Sequence, residues 1–125
     1  MLPAALRMRR SADFEATVRR GARAGRTTLV VHCRQVPERT GTHVGMVVAR
    51  TVGNAVVRNK VRRRLRGVVM ESQAVLPEAT DVVVRALPPA AHASYETLAS
   101  DFAAALPAAL ARRPKRAAQP ARPGS

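Results

Sequence analysis

The sequence predicts an α+β domain, with helices packed on one sheet, and three observations carry that prediction. Residues 27–36 and 44–50 alternate with a period of two, as half-buried strands do. Residues 56–70 and 94–110 place their apolar side chains at a period near 3.6, as amphipathic helices do. Beyond Ala111 the chain is Arg, Lys, Pro, Ala and Gly with no period at all. A chain of 125 residues supports one core and no second domain. The expected organisation is a domain over residues 1–110 and a disordered basic tail over residues 111–125.

Each element follows from local chemistry. Ser11 suits an N-cap, Asp13 and Glu15 sit where the helix dipole favours acids, and Phe14 and Val18 are four apart on one face. Gly21 ends that helix. From Thr27 to Val36 the chain is β-branched or apolar, with Leu29, Val31 and Cys33 on one side and Val30, His32 and Arg34 on the other. The polar stretch Pro37 to His43, containing Gly41, reads as a hairpin connection. Val44 to Arg50 is then the antiparallel partner strand. Val57, Val61, Leu65 and Val68 form the apolar stripe of the next helix. After a loop containing Pro77, Asp81 to Leu87 reads as a strand covered on both faces, because Val82, Val83 and Val84 are consecutive; Pro88 and Pro89 stop it. The last helix starts at the N-cap Ser94 and carries Tyr95, Leu98, Phe102, Ala105 and Ala109 on one stripe, with Pro107 ending or kinking it. The pattern is helix, strand, strand, helix, strand, helix.

Charge narrows the function. Twenty-two Lys and Arg against eight Asp and Glu give a formal charge of +14, with a pI near 11.9. That excess asks for a polyanionic partner, with nucleic acid first. A membrane surface fits poorly, since the chain has no Trp and few aromatic anchors. Cys33 is the only cysteine, so no internal disulfide forms, and it reads as a small apolar strand residue. The N-terminal arginines precede no apolar run and no segment is long enough to span a bilayer, so a cytoplasmic location is expected. His43 and His92 lack ligand-like spacing, and no metal site is expected in the protein itself.

The segment from Asn54 to Arg66 concentrates the charge. Arg58, Arg62 and Arg66, with the neighbouring Asn59 and Arg63, make a cationic strip beside the apolar stripe. Most charged helix faces are merely solvated, but this one has no acid between Asn54 and Met70 to neutralise it. Arginine grips phosphate bidentately where lysine offers a point charge, so a phosphodiester backbone is the natural ligand. Gly53-Asn54 gives a tight start and a capping side chain, and free N–H groups at that end suit a phosphate as well.

The run from Val52 to Arg66, VGNAVVRNKVRRRLR, resembles the signature of the bacterial ribonuclease P protein family. The resemblance extends to Met1-Leu2-Pro3, the Arg-rich approach to Asp13-Phe14, Gly21, Val44-Gly45 and the Asp81 to Val84 strand. It implies a four-stranded mixed sheet in which the strand from Val44, the basic helix and the strand from Asp81 form a βαβ unit with left-handed crossover. Pattern alone would favour the right-handed form. It also implies a subunit of a tRNA 5′-maturation endoribonuclease, whose active site lies in a catalytic RNA with its magnesium ions. No catalytic residue, cofactor or obligate protein partner is then expected of the chain.

By resemblance, Asn54, Arg58, Asn59, Lys60, Arg62, Arg63 and Arg66 would dock on the catalytic RNA. A cleft between the first helix and the sheet would hold the single-stranded 5′ leader of precursor tRNA, at Phe14, Val18, Val30, His32 and Arg50. Phe14 and Val18 are also spaced as ordinary core residues, and a strand His is more often structural than functional. Val18 stands where a second aromatic is common, His32 where a tyrosine is, and Thr51 where a lysine is. A missing ring weakens leader contacts, since base stacking is worth about 1–3 kcal/mol.

The competing reading is a structural RNA-binding protein of the ribosomal type, using the same helix without a role in cleavage. Composition does not separate the two; the GNAVVRN order does, because electrostatics alone would tolerate any order of basic residues. An autonomous metal nuclease needs convergent carboxylates, and the eight acids are scattered. A DNA-binding helix lacks its helix-turn-helix setting and a dimer seam.

Overall fold

The computed structural model describes residues 2–113. Helix α1 (Ser11–Arg20) leads into strands β1 (Ala22–Gly25), β2 (Leu29–Gln35) and β3 (Thr42–Val47). Helix α2 (Ala55–Glu71), strand β4 (Thr80–Ala86) and helix α3 (Tyr95–Arg112) complete the chain, with short 3-10 turns before α2, after it and before α3. The four strands lie in the order β1-β2-β4-β3.

That order corrects the expected hairpin. β2 and β3 do not pair; β4 lies between them, antiparallel to β2 and parallel to β3. The alternation in residues 27–36 and 44–50 fixes which side chains face the core but not which strand is the neighbour. Burial decides it: Val82, Val83 and Val84 are fully buried on both faces, and the sheet centre is the place that accepts such a strand. β3, α2 and β4 therefore form a βαβ unit. The fourth strand, β1, carries the sequence ARAG, too short to show a period, and is recruited by antiparallel pairing with β2.

α2 and α3 cover one face of the sheet. Leu29, Val31, Cys33, Val44, Val82 and Val84 meet Val61, Leu65, Val68 and Val69 of α2 and Leu98, Phe102, Ala105 and Ala109 of α3. Cys33 is inside this layer as expected of a small apolar residue, and burial pushes its thiol up to about 12. α1 lies on the opposite face. Gly21 ends it, with its N–H donating to the Thr17 carbonyl at 3.0 Å. The reason for glycine there is steric, since a Cβ would sit 2.4 Å from the Cys33 carbonyl oxygen.

Three helix boundaries differ from the sequence reading. Ser11 is the first helical residue rather than the cap; Arg10 takes the cap position and supplies no side-chain bond. Pro107 neither ends nor kinks α3 out of helical register, which continues to Arg112. Pro107 and Ala103, whose carbonyl loses its helical partner, are both on the exposed side of the helix, while Ala105, Leu106 and Ala109 stay buried. Ala111 and Arg112, assigned to the tail, belong to the helix; Arg112 donates to the Arg23 carbonyl at 2.9 Å and Arg113 to Thr80 Oγ1 at 2.9 Å. The remainder of the tail, 114–125, lies outside the described residues. Ser94 caps α3 as expected, accepting from the Thr97 N–H at 3.0 Å.

Candidate RNA interface

α2 begins at a side-chain cap: Asn54 Oδ1 accepts from the Val57 N–H at 3.0 Å. Gly53 before it has φ 159°, and a Cβ there would meet Val57 at 2.8 Å, so the chain turns into the helix only with glycine at this point. Arg58 Nε donates back to the Gly53 carbonyl at 3.2 Å, and Arg62 Nη1 to Asn59 Oδ1 at 3.0 Å. These bonds orient two guanidinium groups while leaving most of their donors for a ligand. Val61, Leu65 and Val68 on the other side of α2 are buried.

No acid pairs with Arg58, Lys60, Arg62, Arg63 or Arg66 among the described residues. Asp13 and Asp81 are instead paired in a clamp beneath α1. Asp81 is fully buried and held by Arg34 Nη2 at 2.8 Å and by Arg39; the same two arginines reach Asp13 at 3.4 and 3.5 Å. Asp13 is adjacent to Phe14, so the clamp fixes where that ring stands. Sequence reading took Asp13 as a dipole-favoured acid and missed its partners. The available signal was Asp81, a lone acid opening a run of buried valines, because a buried carboxylate demands cations. Arg64 is likewise structural, donating to the Ala93 carbonyl at 2.7 Å.

The Phe14 ring packs over Gly45. At the β3 edge it shares a groove of about 190 Å³ with Met8, Met46, Arg62 and Arg66. Phe14 and two arginines of the α2 strip, assigned separately from sequence, thus line one hollow. The other cleft residues are dispersed. Val18 is 39% exposed farther along α1. Arg50 is exposed on the 3-10 turn Arg50–Val52, not at a strand end. Val30 and His32 are buried, His32 to 1%.

His32 corrects an expectation: as folded, it presents no ring surface for a base. Neither ring nitrogen has a hydrogen-bond partner in the structure. Burial, with Arg85 and Arg23 nearby, pushes its pKa down to about 4, so the imidazole is neutral at pH 7.

A small α+β domain with an unneutralised arginine helix opening onto an apolar groove is a nucleic-acid-binding protein of the ribonucleoprotein class. The ribonuclease P family model matches residues 2–109. A ribonuclease P protein component from Kocuria rhizophila is 51% identical over 112 residues, covering 90% of this chain and 98% of the relative. One from Acidothermus cellulolyticus is 52% identical over 103 residues, covering 82% and 86%. The solved ribonuclease P protein of Staphylococcus aureus superposes with a TM-score of 0.74 at 26% identity, covering 82% of this chain and 94% of that one. The chain belongs to the ribonuclease P family, as a protein component of that enzyme, and its partner is the enzyme's RNA.

Proposed function

We propose that the chain assists a catalytic RNA in removing the 5′ leader of precursor tRNA, docking on that RNA through α2 and holding the leader in the groove at Phe14. The observation that carries this reading is the shared groove, which Phe14 lines together with Arg62 and Arg66. A single-stranded RNA needs a ring for a base and cations for its phosphates, and both converge there. Asn54, Arg58, Asn59, Lys60 and Arg63 extend the cationic surface along α2 toward the catalytic RNA. Bond cleavage belongs to the RNA with its magnesium. In the protein, the buried Asp81 and the half-buried Asp13 are occupied by Arg34 and Arg39.

The test is reconstitution. Adding the protein to its matching catalytic RNA at low magnesium should restore cleavage of precursor tRNA. RNA binding without any gain in cleavage would favour a purely structural RNA-binding role.

A further inference from the structure

Two helices end at one corner of the sheet, away from α2. Gly21 joins α1 to β1, so Arg19 and Arg20 stand at the start of that edge strand. α3 reaches the same corner from the other face, where Arg112 donates to the Arg23 carbonyl at 2.9 Å and Arg113 to Thr80 Oγ1 at 2.9 Å. Ala22 pairs with Cys33 and Thr80 with Gln35, so both contacts lie toward one end of β2. Three residues separate Arg20 from Arg23, which keeps their Cα atoms within about 11 Å of each other. Arg19, Arg20 and Arg112 are exposed and Arg113 is half-buried. None of the four pairs with an acid among the described residues, Glu15 one turn before Arg19 included. Lys115 and Arg116 follow in the sequence.

Cations at a helix C-terminus ordinarily balance the helix dipole, an effect of about 0.3–1 kcal/mol. Arg112 and Arg113 do something else: their side chains reach across to strands rather than back to the last carbonyls of α3. Each uses one of its five N–H donors to fix the guanidinium and leaves the others for a ligand. We propose that Arg19, Arg20, Arg112 and Arg113 form a second docking surface for the enzyme's RNA, which takes the phosphate backbone of a helical segment other than the one against α2. The α2 strip and the groove at Phe14 lie at β3, the opposite edge of the sheet, roughly 14 Å away across three strand spacings. Single-stranded RNA calls for an aromatic platform. The chain's two Phe and one Tyr are all placed elsewhere: Phe14 over Gly45, Phe102 in the core and Tyr95 over Gly67 of α2. A corner with charge and no ring matches duplex backbone, recognised by shape and charge and not by sequence. The inference goes beyond the reading above, since it concerns the RNA partner alone and needs no leader.

The full chain is titrated with its catalytic RNA, without substrate, across a salt series. Arg19→Gln with Arg20→Gln should weaken binding about tenfold and flatten the slope of log affinity against log salt by about 0.7–0.9 for each phosphate released. Arg112→Gln should act in the same direction. Adding Arg62→Ala and Arg66→Ala should multiply the separate losses, because the two surfaces share no residue. Unchanged affinity and slope in the corner variants overturn the surface. So does a loss seen only when the assembled enzyme binds mature tRNA, with the catalytic RNA itself bound as before. A second measurement leaves the corner arginines in place. A hydroxyl-radical source tethered at Ala111→Cys, an exposed position, should cut a segment of the catalytic RNA that the same source at Val56→Cys does not; Cys33 is buried and stays unmodified. No cuts from Ala111→Cys, or the same cuts from both positions, overturn the surface. Weakening by the corner variants with none from Arg62→Ala and Arg66→Ala would support the corner and remove the α2 docking reading instead.

Discussion

The ring of Phe14 stands where a side chain on Gly45 would begin, with ring carbons 2.4 Å from the position a Cβ would take. The sheet therefore approaches α1 closely at this row only because residue 45 has no side chain. Gly45→Val should push Phe14 and its helix outward, costing about 1–3 kcal/mol of stability. It should also weaken leader-bearing precursor tRNA more than mature tRNA. Thermal melts and paired binding titrations check the two effects, and an unshifted melting temperature would contradict the packing.

The clamp beneath α1 should show in denaturation. Asp81→Asn leaves Arg34 and Arg39 facing a neutral amide at a fully buried position, and breaking such a pair costs about 3 kcal/mol. Urea unfolding measures it. Asp13→Asn, whose partners are longer and nearer solvent, should cost less.

Arg62→Ala with Arg66→Ala removes two cations that reach both the groove and the exposed side of α2. Binding to the catalytic RNA should fall, and the salt dependence should flatten by about one counterion for each phosphate no longer neutralised. A steeper or unchanged slope would place RNA docking elsewhere.

His32 sets an acid limit. Its folded pKa, near 4, lies below the ordinary 6.5, so between those values the unfolded chain binds the extra proton. Stability from this group is fully present above pH 6.5, declines as pH falls toward 4 and is level below that. The full loss is on the order of 3 kcal/mol. His32→Phe should remove this part of the acid sensitivity, as read from unfolding free energies at pH 7 and pH 5.

Truncation distinguishes the last helical turn from the residues beyond it. Removing residues after Arg113 keeps the bonds from Arg112 to the Arg23 carbonyl and from Arg113 to Thr80, whereas removing residues after Leu110 deletes both. The shorter chain should be less stable by about 1–2 kcal/mol, measured by melting.

The sequence by itself determined which residues are inside and where the charge lies, because both are local properties. The stripe Val57, Val61, Leu65 and Val68 and the opposing arginines follow from helical spacing within one segment. The Asn54 and Ser94 caps follow from backbone donors only three residues away. The cationic surface of α2 was legible for the same reason.

Tertiary structure decided what spacing does not encode: which strands are neighbours, and which distant side chains share a hollow. β4 enters between β2 and β3 because a strand of three buried valines must be covered on both faces. His32 alternates with the core residues, so sequence placed it on the cleft side; depth under α1 is a property of packing, and it made the ring inaccessible. Phe14, Arg62 and Arg66 meet at the β3 edge only once α1 and α2 have settled on opposite faces of the sheet. Asp13 finds Arg34 and Arg39 by the same folding, and those long-range ion pairs hold the helix that carries Phe14.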